Sequence, residues 1–84
     1  MRLSRKDDRM LRLLLAMRRR APSPLWKVAW RARRGLIWTK RQMRVAAMAD
    51  YLDYRCVNDA FLYSLSSLGR ERMADLAQSK ALGK

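Results

Sequence analysis

Both prolines of this chain fall within four residues, Ala21-Pro22-Ser23-Pro24, and only three glycines punctuate the rest of its 84 residues. Breakers are therefore scarce, and the tracts between them are rich in Ala, Leu, Met, Arg and Lys, all good helix formers. Apolar residues recur at three- and four-residue steps, and no run reads as alternating with period two. The expectation is an all-α protein: a helical hairpin or an open three- to four-helix array, with a long central helix and a protruding basic N-terminal half. At this length it is one small domain, 1–84, which buries only roughly 60–65% of the surface its unfolded form exposes.

A first helix is expected from about Lys6 to Arg19. Ser4 stands where an N-cap belongs, Asp7 follows at the capping-box position, and Met10, Leu11, Leu14 and Met17 share one face, broadened by Leu13 and Leu15. Ser23 followed by Pro24 reads as an N-cap and a proline in the first turn, so a second helix begins there. Gly35 has the look of a C-terminal cap, yet Leu36, Ile37 and Trp38 follow without a polar loop. One long helix from Pro24 to about Val57, with room for a bend at Gly35, is preferred over two shorter ones. Beyond Gly35 an apolar stripe at helical spacing, Trp38, Val45, Ala49, Leu52, Cys56, Ala60 and Tyr63, reads as a core or interface face. Asn58 is a fair N-cap for a restart, with Phe61, Leu62, Leu65 and Leu68 carrying an apolar face to Gly69. A last helix is expected from about Arg70 to Leu82, closed by Gly83, with Met73, Leu76 and Ala77 facing inward.

Charge divides the chain more sharply than hydropathy does. Residues 1–44 hold fifteen Arg or Lys against Asp7 and Asp8, whereas residues 45–84 hold five against five, so the whole formal charge of +13 sits in the first half. A basic half (1–44) joined to a neutral helical half (45–84) points to a polyanionic partner for the first alone.

The same composition argues against chemistry. Histidine, the commonest general acid–base and metal ligand, is absent, and Cys56 is the single cysteine. No phosphate-binding glycine loop or nucleophile elbow is present. Asp50 and Asp53, three apart, read as a solvated face or as arginine partners. No enzyme is expected, and no catalytic, metal or cofactor-binding residue is assigned. One thiol and no disulfide fit a reducing compartment, and no run reaches the roughly 18–20 apolar residues of a membrane span. Residues 1–20 lack the long apolar region of a secretory signal and read as part of the working protein. The expected location is the cytoplasm or a virion, not a secreted one.

Three functional readings remain. The leading one is binding of a polyanion, foremost the phosphate backbone of RNA or DNA, without strong sequence specificity. Arginine outnumbers lysine three to one, and its planar fork suits phosphates. The candidate contacts are Lys27, Arg31, Arg33, Arg34, Lys40, Arg41 and Arg44, along two stripes of a helix. Trp26 and Trp30 share a face and are candidates for base stacking or an interface, whereas Trp38 heads the apolar stripe. No helix-turn-helix, zinc-finger or RNP signature is legible. The second reading is a small accessory subunit of a protein or nucleoprotein assembly, such as a phage virion, with a protein partner or a homo-oligomer. The third is peripheral binding to an anionic membrane surface.

The segment LSSLGRERMADLAQSK, Leu65 to Lys80, resembles the signature of the small arginine-rich YjiS-like proteins of bacteria. Leu65 and Leu68 match its paired leucines, Met73 an apolar helix position, and Asp75-Leu76-Ala77-Gln78-Ser79-Lys80 its closing motif in register. Residues 26–44 are similar to the Arg-rich, Trp-containing segment upstream. Gly69-Arg70 departs from the usual acidic or polar pair, Ala77 replaces a glycine, and the chain is nearly twice the usual length. The resemblance implies a small bacterial regulatory protein, some of whose relatives bind RNA, and assigns no catalytic residue.

Overall fold

The computed structural model describes residues 3–19 and 21–82. Ser4 opens the first helix, α1 (Arg5–Ala16): its backbone is extended, and its hydroxyl oxygen accepts the Asp7 amide N–H at 3.1 Å. Asp7 and Asp8 thereby face the positive end of the helix dipole. Met10, Leu11, Leu13, Leu14 and Met17 are all buried, with Leu13 and Leu14 at 0% exposure. The basic half does not protrude. Its first helix is the centre of the core, packed against α2, α3 and the last helix, and it supplies about half of the buried cluster.

The single helix expected over 24–57 is three elements. The second helix, α2 (Leu25–Ala32), ends where Arg33 turns left-handed at φ 56°, ψ 43°. The Arg33 amide donates to the Ala29 and Trp30 carbonyls and the Arg34 amide to Ala29, which satisfies the last carbonyls of the helix. The third helix, α3 (Leu36–Met48), begins after Gly35 and is stopped in the same way by Asp50 at φ 61°, with the Tyr51 amide donating to Ala46. Gly35 is not the left-handed residue of the turn: it sits at φ −69°, and nothing lies within 4 Å of where its side chain would be.

Residues 52–65, read as helix from the sequence, pair as an antiparallel hairpin of β1 (Leu52–Val57) and β2 (Ala60–Leu65), in register from Leu52↔Leu65 to Val57↔Ala60. The fold is therefore α+β, not all-α. Asn58 and Asp59, at φ 50° and 63°, form the two-residue turn. Two consecutive left-handed residues match the twist of the strands, and Asn and Asp tolerate that conformation best after glycine. So Asn58 starts no helix. Leu52 and Cys56 are four apart, a spacing that places residues on one face of a helix or of a strand alike, and the apolar stripe misled for that reason.

Ser23 adds a short third segment: its amide and carbonyl pair with Tyr63 at 2.9 and 2.8 Å. Its backbone thus extends the sheet, and the position before α2 falls to Pro24. The last helix, α4 (Ser67–Leu82), starts three residues earlier than the expected Arg70, because Ser66 caps it. The Gly69 amide donates to the Ser66 hydroxyl oxygen at 3.0 Å, and that hydroxyl donates to the Asp50 carbonyl at 2.6 Å. Gly69 lies inside the first turn of α4, not between two helices, and a Cβ there would overlap the Tyr51 carbonyl oxygen. Met73 and Leu76 face the core while Ala77 is exposed. The expected closing residue, Gly83, lies outside the described residues.

Leu65 of β2 and Leu76 of α4 complete the core against α1, Val28, Ala32, Met43 and Ala46. Two surface ion pairs tie α4 back across α1, Arg72–Asp7 at 3.4 Å and Lys80–Asp8 at 3.1 Å. Both are half exposed, so each is worth about 0–1 kcal/mol. Among the described residues no helix is long and apolar enough to cross a membrane.

Candidate functional site

The consequence of breaking 24–57 at residues 33–35 is a pair of helices joined by a three-residue turn, with a β-hairpin following directly. The α2–turn–α3 unit has the connectivity of a helix-turn-helix, although its sequence carries no legible signature of one. Thr39, Met43 and Ala46 turn one face of α3 into the core. Buried Thr39 sends its hydroxyl hydrogen to the Gly35 carbonyl at 2.9 Å, so it leaves no polar atom unsatisfied.

With that face fixed, helical periodicity places Ile37, Lys40, Arg41, Arg44 and Met48 on the outward one. All five are exposed, Ile37 at 71% and Met48 at 82%. No Asp or Glu occurs between residues 36 and 49, so the three cations stand unopposed along the helix. Gly35 supplies no side-chain cap to α3, and its first amides remain directed outward at the positive end of the dipole.

The seven expected contact residues do not form one surface. Lys40, Arg41 and Arg44 share the outer face of α3. Arg33 and Arg34 belong to the turn, and the Arg34 guanidinium lies 5.8 Å from the Trp38 ring centroid. Lys27 and Arg31 are on α2. Lys27 sits 5.5 Å from the Trp26 ring centroid, while Arg31 is half-buried and donates to the Ser23 hydroxyl at 2.9 Å, tying α2 to the segment before it. Trp26 and Trp30 are both largely exposed on α2. Trp38, Leu52 and Tyr63 pack against the core, Ala49 is half-buried, and Val45 and Cys56 are exposed, so the expected stripe is not one continuous face.

The hairpin was missed as an element of the site. Its first strand alternates Leu52, Tyr54 and Cys56 with Asp53 and Arg55 and runs into Asn58-Asp59, which is the signal that would have found it. Tyr54 and Phe61 meet edge-to-face at 6.0 Å on one exposed side. Beyond Tyr63 the hairpin carries Arg55 against Asp59, so it adds reach and aromatic surface but no net positive charge. Arg12, Arg18 and Arg19 were also unassigned from the sequence. They line a groove of about 1040 Å³ between α1 and α2, together with Trp30 and Arg31, Arg33 and Arg34.

No family model matches the chain, and no curated protein matches it in sequence. Among solved structures, the crystal structure of Sso10a-2, a DNA-binding protein from Sulfolobus solfataricus, is similar with a TM-score of 0.80 at 11% identity, covering 95% of this chain and 81% of that one. A protein of unknown function from Listeria innocua Clip11262 is similar with a TM-score of 0.74 at 16% identity, covering 83% of this chain and 50% of that one. At such identities the likeness is one of fold: an α+β, winged-helix-like arrangement in which β1 and β2 form the wing.

Proposed function

We propose that this chain is a non-enzymatic nucleic-acid-binding protein that lays the outer face of α3 against duplex DNA. The observation that carries this reading is the acid-free face of Lys40, Arg41 and Arg44 on an exposed helix of a helix-turn-helix. An α-helix fits the major groove of B-form DNA, about 12 Å wide, whereas that of A-form RNA is too narrow and deep to admit side chains. The cations contact phosphates while Ile37 and Met48 lie along the groove, and the hairpin reaches an adjacent stretch of backbone. With the three cations engaged by phosphates, Ile37 and Met48 offer no hydrogen bond to a base edge, so binding is governed by the backbone. The reading is further supported by a solved structure of similar fold, that of a DNA-binding protein.

A salt series tests it. Three phosphate contacts predict that log affinity for a mixed-sequence duplex falls linearly with log salt, with a slope of about −2.7 or steeper. A slope flatter than about −1, or binding to anionic vesicles that outlasts duplex binding as salt rises, overturns the reading.

A further inference from the structure

The seam between α1 and α2 is a second basic surface that the outer face of α3 does not include. In a bundle of three helices the exposed face of each points away from the other two, so the α1–α2 seam and the outer face of α3 look in different directions. The seam is concave, with a volume of about 1040 Å³, and six arginines line it: Arg12, Arg18, Arg19, Arg31, Arg33 and Arg34. Its acid is Asp8, which Lys80 already holds at 3.1 Å. At its rim stands the indole of Trp30, 77% exposed, with Trp26 one turn earlier on the same side of α2.

We propose that this seam is a binding site for an unpaired nucleic-acid strand, its arginines holding successive phosphates while Trp30 stacks on a base. Four features fit that ligand. Arg31 donates to the Ser23 hydroxyl at 2.9 Å, which holds its guanidinium in place, and Arg12 reaches the Ala32 carbonyl at a longer 3.5 Å. Each has five N–H donors, and these bonds leave the others free for a phosphate. An exposed indole beside such groups offers what every base has, a flat face, independent of sequence. A flat bilayer cannot enter a concave seam, whereas a single strand can lie along it.

Arg33 is the fourth feature. It occupies a left-handed position (φ 56°) that glycine fills at no steric cost, while the glycine of the turn stands two residues later at φ −69°. The chain thus places an arginine in a costly conformation on the wall of the seam. Strained positions of this kind cluster at ligand-binding sites.

The proposal rests on nucleic acid being the partner but not on the α3 face, and its test separates the two. Anisotropy of a fluorescein-labelled oligothymidylate of roughly 12 nucleotides, within the span of small single-strand sites, is measured beside that of a labelled duplex. Trp30→Ala is expected to weaken oligothymidylate binding roughly tenfold to a hundredfold, the worth of one stacked base, and to leave duplex binding unchanged. Arg41→Ala with Arg44→Ala is expected to do the reverse. Arg33→Gly is expected to weaken oligothymidylate binding while raising the thermal midpoint, a pairing that a purely structural role for Arg33 does not produce. Excess unlabelled duplex should fail to displace the oligothymidylate. If duplex does not bind but the Trp30-dependent oligothymidylate binding is found, the α3 reading falls and the seam stands. The proposal is overturned if Trp30→Ala leaves oligothymidylate binding unchanged, if duplex displaces it one for one, or if Trp30 proves necessary for binding anionic vesicles and not the oligothymidylate.

Discussion

Gly69→Ala is expected to lower stability by about 2–4 kcal/mol, even though alanine is the better helix former by about 1 kcal/mol. The added methyl group would run into the carbonyl oxygen of Tyr51 and come within 3.0 Å of its carbonyl carbon. Because the obstacle is main chain, it cannot rotate aside as a side-chain tip would. The corner is also held by Ser66, whose amide donates to Tyr51 at 3.0 Å and whose hydroxyl donates to Asp50. Relief therefore means lifting α4 away from Tyr51, and with it from α1 and β2, which exposes Leu65 and Leu76. For a domain of this size a loss of about 3 kcal/mol lowers the thermal midpoint by roughly 12–24 °C. Circular dichroism at 222 nm reads the shift directly. Gly35→Ala is the matched control: its site is open and its φ is ordinary, so its stability should stay within about 1 kcal/mol of the parent. Equal midpoints for the two variants would mean that α4 does not sit on Tyr51 as described.

Removing Lys40, Arg41 and Arg44 together as alanines is expected to weaken duplex binding by about a hundredfold to a thousandfold near 0.1 M salt. Three lost phosphate contacts should also flatten the slope of log affinity against log salt by about 2.7. All three side chains are exposed and carry no hydrogen bond among the described residues, and alanine suits a helix. The fold should accordingly be unaffected, with a thermal midpoint close to that of the parent. Affinity and slope have to move together. A loss of less than about threefold, or an unchanged slope, would place the contacts elsewhere than on α3.

The helical part of this fold was legible because its signals are local. Ser4 and the three- and four-residue rhythm of Met10, Leu14 and Met17 define α1 without help from the rest of the chain. The breaks inside 24–57 were not, because one left-handed stop falls on Arg33, a good helix former, and the other on Asp50, which the sequence also allows as a solvated helix face, while the conspicuous Gly35 needs no special conformation. The hairpin was lost to a coincidence of spacing at Leu52 and Cys56, and its turn uses Asn-Asp where Asn-Gly is the stronger signal. Of the site, the residue types were legible and the surfaces were not. Lys40, Arg41 and Arg44 separate from Lys27 and Arg31 only once the chain turns at Arg33, and Arg12, Arg18 and Arg19 join the seam only through tertiary packing.

Asp7 and Asp8 are the only acids of the first forty-four residues, and in the fold both turn to cations of α4, Arg72 and Lys80. Among the described residues, then, no cation of the basic half has an ion-pair partner, and folding gathers these like charges around one small bundle. Added electrolyte screens that mutual repulsion over a distance of about 10 Å at 0.1 M. The native state should tolerate heat better as salt rises, over the same range in which a bound phosphate backbone is released. For this chain the ionic strength that best preserves the protein is the one least favourable to its partner, and an apparent gain in stability on adding nucleic acid should fade as salt is increased.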